Sequence, residues 1–584
     1  MKKFVCIVLV FVLSLASMAI VGCNGGSGGD SGKTILNICA HDDAIGGPWM
    51  EDLFDRFEKA YADKSYADGK MGVVVKSNAY MNSLNTIKTD GNAIYFRNRD
   101  NEVSYFVRND EFLDITKIVT EKNETRAGEK ISLEDKIPQK SRDTYKVGDS
   151  YYALPDAEFY ASVSYDKDLF DQKGLYFAQP GSSGNEFYSS ICEETYTFIN
   201  VGDDINKSCG PDGELGTEDD GLPTSLFELV ALCQYMKNIH SVSPFAMAYN
   251  SSIIEYCNFL LDALMVSLQG EQAETMNTLN SDGFDVIVGW TDENLFPGFE
   301  GIKKPIVKTI PITEETGYYT TWSADKYYAE AFVELVDKNG WWCTDTASKN
   351  SNHHKAQDNF VYSGFGSNEA IGMLVESTFW YNEANSRNVM DYFFLEFNYV
   401  DERNLAPMSL PVSLDTTVVE GKGELPTYIC TSRSFVCVNA NIRDNAEIVG
   451  AVKDFLQFIY SDAELSRCTA EQGMPRNMTY SVLDADKVKF STYGEKVWSL
   501  FEKANIVRFE GKTETFKSNT SLFYRGFEDG AFSVPGYGSC YAEINNGKSA
   551  KECFEIQMKD KNMWSSFYRG TGTVADYNGL IYAS

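Results

Sequence analysis

The chain has 584 residues, with 52 basic side chains against 84 acidic ones and a formal net charge of -32. That balance disfavours nucleic acid and anionic membrane surfaces as partners, and a highly anionic ligand would need a local basic cluster that is not evident in the sequence. Hydrophobic residues make up 43% and aromatic residues 14% of the chain, enough for a large core, and the length points to two or more lobes.

Lys2 and Lys3 precede an apolar run from Phe4 to Ile20, which ends in Ile20-Val21-Gly22-Cys23. A basic region, an apolar core and a small residue before the cleavage point read residues 1–22 as a secretory signal peptide. The cysteine that follows makes the segment resemble a bacterial lipobox, so Cys23 is expected to carry the lipid. Residues 23–33 are rich in Gly and Ser, a flexible tether rather than a basic stop-transfer flank. The rest of the chain is then expected outside the cytoplasm, anchored to the bacterial cell membrane.

Ile35 to Cys39 reads as a strand, followed through Gly46, Gly47 and Pro48 by a helix with Met50, Leu53, Phe54, Phe57 and Tyr61 on one face. Val73 to Val75 and Ala93 to Phe96 are the next strands. Thr224 to Asn238 is a helix, started by Pro223 and a Ser225-x-x-Glu228 capping box. Ser434 to Val438 is a strand, and Ile448, Ala451, Val452, Phe455 and Ile459 mark the helix after it; Ser549-x-x-Glu552 caps another. Strands alternating with helices indicate α/β lobes with mostly parallel sheets.

Between these elements, Asp203 to Gly221 is an acidic, glycine-rich insertion spanning about residues 200–221. Asp203, Asp212, Glu214, Asp219 and Asp220 are its candidate ligands for calcium, which takes six to eight oxygens and tolerates irregular loops. The competing reading is a solvated loop, and no cofactor is otherwise required. Of 13 cysteines, Cys6 lies in the signal and Cys23 takes the lipid. The others lack zinc-site spacing and read as reduced core residues, although Cys192/Cys209 and Cys540/Cys553 are near enough in sequence to bridge. His353 and His354 are adjacent, and adjacent helical residues point to different faces, so they read as a poor metal site.

Several segments carry a resemblance. Tyr151-Tyr152-Ala153-Leu154-Pro155 and Ser162-Val163-Ser164-Tyr165-Asp166-Lys167-Asp168-Leu169-Phe170 resemble the first interlobe crossover of the bacterial extracellular solute-binding proteins that include maltose-binding protein, receptors of ABC importers. Pro223 to Glu228, Ala370 to Glu383 and Ser434 to Arg476, which ends in Gly473-Met474-Pro475-Arg476, resemble later segments of that family, as does Ile544 to Ser549. Glu376 to Thr378 departs from it in lacking a glycine.

The resemblance implies a two-lobed periplasmic-binding-protein-like fold of type II, with mostly parallel sheets and a hinge between lobes. Lobe 1 would hold residues 34–156 plus about 432–515, and lobe 2 residues 157–431 plus about 516–584. It implies capture of a solute, most of all a sugar or oligosaccharide, and delivery to the membrane permease subunits of an ABC importer. A peptide or polyamine ligand is the alternative. A surface glycoside-active enzyme is disfavoured, because no acid sits in a recognisable catalytic motif. By matched position the ligand-binding candidates are Trp380, Tyr381, Glu158, Phe159, Tyr160, Phe96, Arg97, Asn98, Asp42 and Trp49. Each ring could equally be core, Asp42 could be a helix cap, and Arg97 could pair with a surface acid.

Overall fold

The computed structural model describes residues 32–41, 47–79, 87–98, 103–123, 129–250, 256–278, 280–313, 316–399, 402–508 and 540–559. The signal, Cys23, Asp42 and the side chain of Asn98 lie outside the described residues. Among the described residues no helix is long and apolar enough to cross a membrane.

The strands are β1 (Thr34–Ala40), β2 (Val73–Ala79), β3 (Ile94–Asn98), β4 (Ala153–Asp166), β5 (Asn185–Ser189), β6 (Glu194–Phe198), β7 (Ser243–Ala246), β8 (Ser281–Asn294), β9 (Lys303–Ile312), β10 (Ile371–Ser377), β11 (Leu405–Pro407), β12 (Thr427–Val438) and β13 (Asn505–Arg508). One sheet runs β2-β1-β3-β12-β4-β10-β7, with β11 added on β4 and β13 on β12. The β1 strand pairs in parallel with β2 and β3, and β10 does so with β7. Pairing is antiparallel along β4 and, except for β13, along β12. All fourteen residues of β4 are buried, as expected of a strand covered on both faces. The hairpins β5-β6 and β8-β9 stand apart from this sheet.

The main helices are α1 (Pro48–Ala60), α2 (Leu226–His240), α3 (Cys257–Gln269), α4 (Ala324–Lys338), α5 (His353–Val361), α6 (Trp380–Ser386), α7 (Ala446–Ile459), α8 (Asp462–Gln472), α9 (Thr492–Lys503) and α10 (Ala550–Lys559). The α1 helix starts on Pro48, whose missing N–H costs nothing in a first turn. Its apolar stripe packs on α7, with Phe57 edge-to-face on Phe455 at 5.0 Å. The Ser225/Glu228 capping box of α2 forms as the sequence suggests.

Two large cores result. One gathers α1, α7 and the strands β1 to β3 with the start of β4. The other gathers α2, α3 and α4, the end of β4, and the α10 segment. Both β4 and β12 contribute side chains to each core, so they are the strands that join them. Ile429 and Val507 belong to the α2–α4 core, and Tyr493 and Val497 pack with Trp380. Cys192 and Cys209 are free and buried, so that pairing does not form here, and the side chain of Cys540 lies outside the described residues.

Candidate functional site

The chemistry concentrates where β4 and β12 run side by side. Asp156 of β4 is 2% exposed. His41, at the end of β1, donates from Nε2 to its carboxylate at 2.7 Å, and Ser434 of β12 donates from Oγ at 2.9 Å. Arg476, in the loop after α8, donates from Nε at 3.2 Å. Burial alone would push Asp156 up, yet Arg476, His41 and Ser434 together hold it well below the usual carboxylate range. Arg476 also donates from Nη2 to Gln472 at 3.0 Å, and its guanidinium lies 5.7 Å from the Trp49 ring centre. Its Nη1 is buried without a hydrogen-bond partner. Phe96 packs against the His41 ring at 5.4 Å.

Two residues further along β4, Glu158 takes a bidentate ion pair from Arg508 at the end of β13, with contacts of 2.8–3.0 Å, and accepts from the Tyr160 hydroxyl at 3.2 Å. Phe159 packs with Ala157 and Met474 and meets Phe379 edge-to-face at 5.3 Å. The structure thus brings Trp49, Phe96, Glu158, Phe159 and Tyr160 to the crossover strands or the loops against them. Arg97 is buried, with its guanidinium 4.8 Å from the Phe106 ring. Asn98 pairs through its backbone with Ser434.

Trp380 and Tyr381 lie in different surroundings. Trp380, expected on a cleft floor, is 0% exposed and sits in a separate core with Phe360 and Tyr493. Its indole N–H is satisfied by Ser164 Oγ at 2.9 Å and the Tyr493 hydroxyl at 3.0 Å. Tyr381 stacks on Tyr493 at 5.1 Å and donates to Glu402 at 2.6 Å. An apolar strand delivering an aromatic helix start looks the same in sequence whether it ends in a core or a cleft. The residues that sequence reasoning missed are His41, Asp156, Ser434, Arg476 and Arg508. Of these, Ser434 and Arg476 carried a signal, as the two ends of the Ser434 to Arg476 segment.

The acidic insertion is held by short-range hydrogen bonds. Asp203 accepts from Asn206 and Asp212 from the Glu214 N–H; Asp219 accepts from Thr217 and the Asp212 N–H, and Asp220 from the Gly216 N–H. The carboxylates therefore close their own turns. Glu214 is exposed. Burial and the neighbouring Asp212 carboxylate push Asp219 up to about 7, even though Thr217 donates to it. Asp212, Glu214 and Asp219 instead line a pocket of about 480 Å³, whose other walls include Tyr428 and the α9 lysines Lys496 and Lys503.

His353 and His354 were expected to face apart. Both instead turn toward Glu383 of α6, with Nε2 to Oε1 distances of 3.4 and 3.6 Å. They occupy the first two positions of α5.

No family model matches the sequence, and no curated protein matches it at the level of sequence. Solved structures do match in fold. An ABC transporter solute-binding protein from Thermotoga lettingae TMO, bound with alpha-D-tagatose, superposes with a TM-score of 0.51 at 10% identity, over 92% of this chain and 100% of that one. A binding protein of an ABC transporter from Bifidobacterium animalis subsp. lactis, in complex with mannobiose, gives 0.49 at 11% identity over 92% and 94%. A chitin oligosaccharide binding protein gives 0.48 at 14% identity over 90% and 100%.

Proposed function

We propose that this chain, which has the two-lobed α/β fold of the ABC-transporter solute-binding proteins, is an extracytoplasmic receptor that captures a carbohydrate at the crossover strands and hands it to importer permeases. The observation that carries the reading is the Arg476 guanidinium, fixed by Asp156, with Nη1 buried and unpartnered beside the Trp49 ring. A ring face and an anchored N–H donor suit a sugar, whose C–H face packs on an aromatic while its hydroxyls accept hydrogen bonds. The tagatose in the Thermotoga protein supports the same ligand class. Binding would act by differential contact: a solute that touches both sides of the crossover only when they close favours the closed form.

A thermal-shift screen of mono- and oligosaccharides tests this. A ligand that binds only the folded protein stabilises it by about 2.7 kcal/mol at a hundredfold excess over Kd, and Trp49→Ala should remove most of the shift. Peptides or polyamines that stabilise where no sugar does would overturn the carbohydrate assignment. The anchor is tested separately: Cys23→Ser should abolish incorporation of labelled fatty acid, and equal labelling of the variant would remove the lipoprotein reading.

A further inference from the structure

We propose that His353, His354 and Glu383 form a binding site for a first-row transition-metal ion, zinc above all, that ties the start of α5 to α6. Among the described residues this is the one group of three such side chains whose ligand atoms all lie within 4.8 Å of one another. Two imidazoles and a carboxylate are a donor set that suits such metals and is too poor in oxygen for calcium.

The distances favour a shared ion over a direct contact. A hydrogen bond from imidazole to carboxylate spans about 2.7–3.2 Å, whereas His353 and His354 stand 3.4 and 3.6 Å from the same Glu383 oxygen. A tetrahedral ion with bonds of about 2.0–2.1 Å puts its donor atoms about 3.3–3.4 Å apart. Two edges of such a tetrahedron are therefore nearly in place, and rotation of the half-exposed His354 closes the third.

The carboxylate is also held from behind. Gln357, fully buried on α5, donates to the other Glu383 oxygen at 2.5 Å, and its own carbonyl accepts from Arg387 at 2.8 Å. This outer support fixes the orientation of a metal-ligating carboxylate. The positive end of the α5 dipole and Arg387 both oppose a cation here. They oppose every cation equally, so only ions that bond strongly to imidazole overcome them, which selects zinc, copper or nickel over magnesium. Three protein ligands leave a fourth position open to solvent or to a bound solute.

The test uses the full chain with any affinity tag removed, stripped with chelator and titrated with cobalt(II) and zinc(II). One equivalent of cobalt per chain should give the visible bands of a tetrahedral ion, and zinc should displace it. His354→Ala should weaken zinc binding at least tenfold and erase those bands, and Glu383→Gln should do likewise. His354 is 45% exposed, so its variant should keep the metal-free melting temperature, which separates loss of a ligand from loss of the fold. Unchanged stoichiometry and affinity in His354→Ala, or no binding of micromolar zinc by the unmodified chain, would overturn the site.

Discussion

Two nodes sit on the same strand, β4, and they differ in kind. Around Ser164, the rings of Trp380, Tyr381 and Tyr493 pack with one another, and each polar tip finds a partner within the protein. Around Asp156, three donors from β1, β12 and the loop after α8 converge on one carboxylate, and the arginine among them keeps an unpartnered N–H. In the first node the indole and both phenol groups are all satisfied within the protein. The second holds charge at the place where both cores meet. An abundance of aromatic rings therefore marks packing here, and an incompletely satisfied cation marks the candidate site.

The largest expected effect breaks this comparison if it fails. Trp380→Ala removes a fully buried ring and leaves Ser164 and Tyr493 without their indole donor. It should cost about 3–5 kcal/mol in denaturant unfolding, and any sugar that stabilises the unmodified chain should still bind the folded variant. A variant with normal stability and lost binding would put Trp380 back on a cleft floor.

Arg476→Ala should cost about 3 kcal/mol, the low end for removing one partner of a buried pair, because His41 and Ser434 stay on Asp156. Unlike Trp380→Ala, it should also lower ligand affinity in the sugar screen. Normal affinity in a folded Arg476→Ala protein would make the charged node purely structural.

The same comparison explains how far the sequence could be read. Local signals served well: the strand at Ile35 to Cys39 lies within β1, the Phe57 stripe became the buried face of α1, and the Ser225 box caps α2. These depend on neighbours a few residues apart. The β8-β9 hairpin went unread because its pairing slips in register at three places and the adjacent Ile306 and Val307 of β9 are both exposed, so the alternation is broken. The charged node was illegible for a different reason. His41 and Arg476 are 115 and 320 residues from Asp156, and no spacing rule links such partners. Crossover residues such as Glu158 were visible through their place on β4, but that place says nothing of Arg508, which satisfies Glu158 from 350 residues away.

The smallest expected effect, a slope rather than an offset, sharpens the contrast most. Each node has a buried acid: Asp156 in one, and in the other Glu376 of β10, which precedes Trp380 and accepts from the Ser377 N–H. Burial pushes Glu376 well above the usual carboxylate range, with a like charge on Glu383 adding to it. Asp156 moves the other way, because Arg476 and His41 outweigh its burial. A depressed folded pKa means that the unfolded chain binds the proton first as the pH falls. Asp156 therefore stabilises fully above the unfolded value of about 3.9 and loses that contribution on acidification below it. A raised folded pKa reverses the sign: Glu376 costs nothing below about pH 4 and destabilises increasingly as the pH rises above about 4.3, the unfolded value. Asp156→Asn should thus be least harmful at the acid end of a pH series, its deficit growing by at most about 1.4 kcal/mol per pH unit until it levels off near pH 4. Glu376→Gln should do the opposite, matching the unmodified protein near pH 4 and gaining on it toward pH 8. Stability curves of the three proteins by denaturant unfolding from pH 3 to pH 8 decide the matter, and parallel curves would mean that the two carboxyl groups feel the same environment.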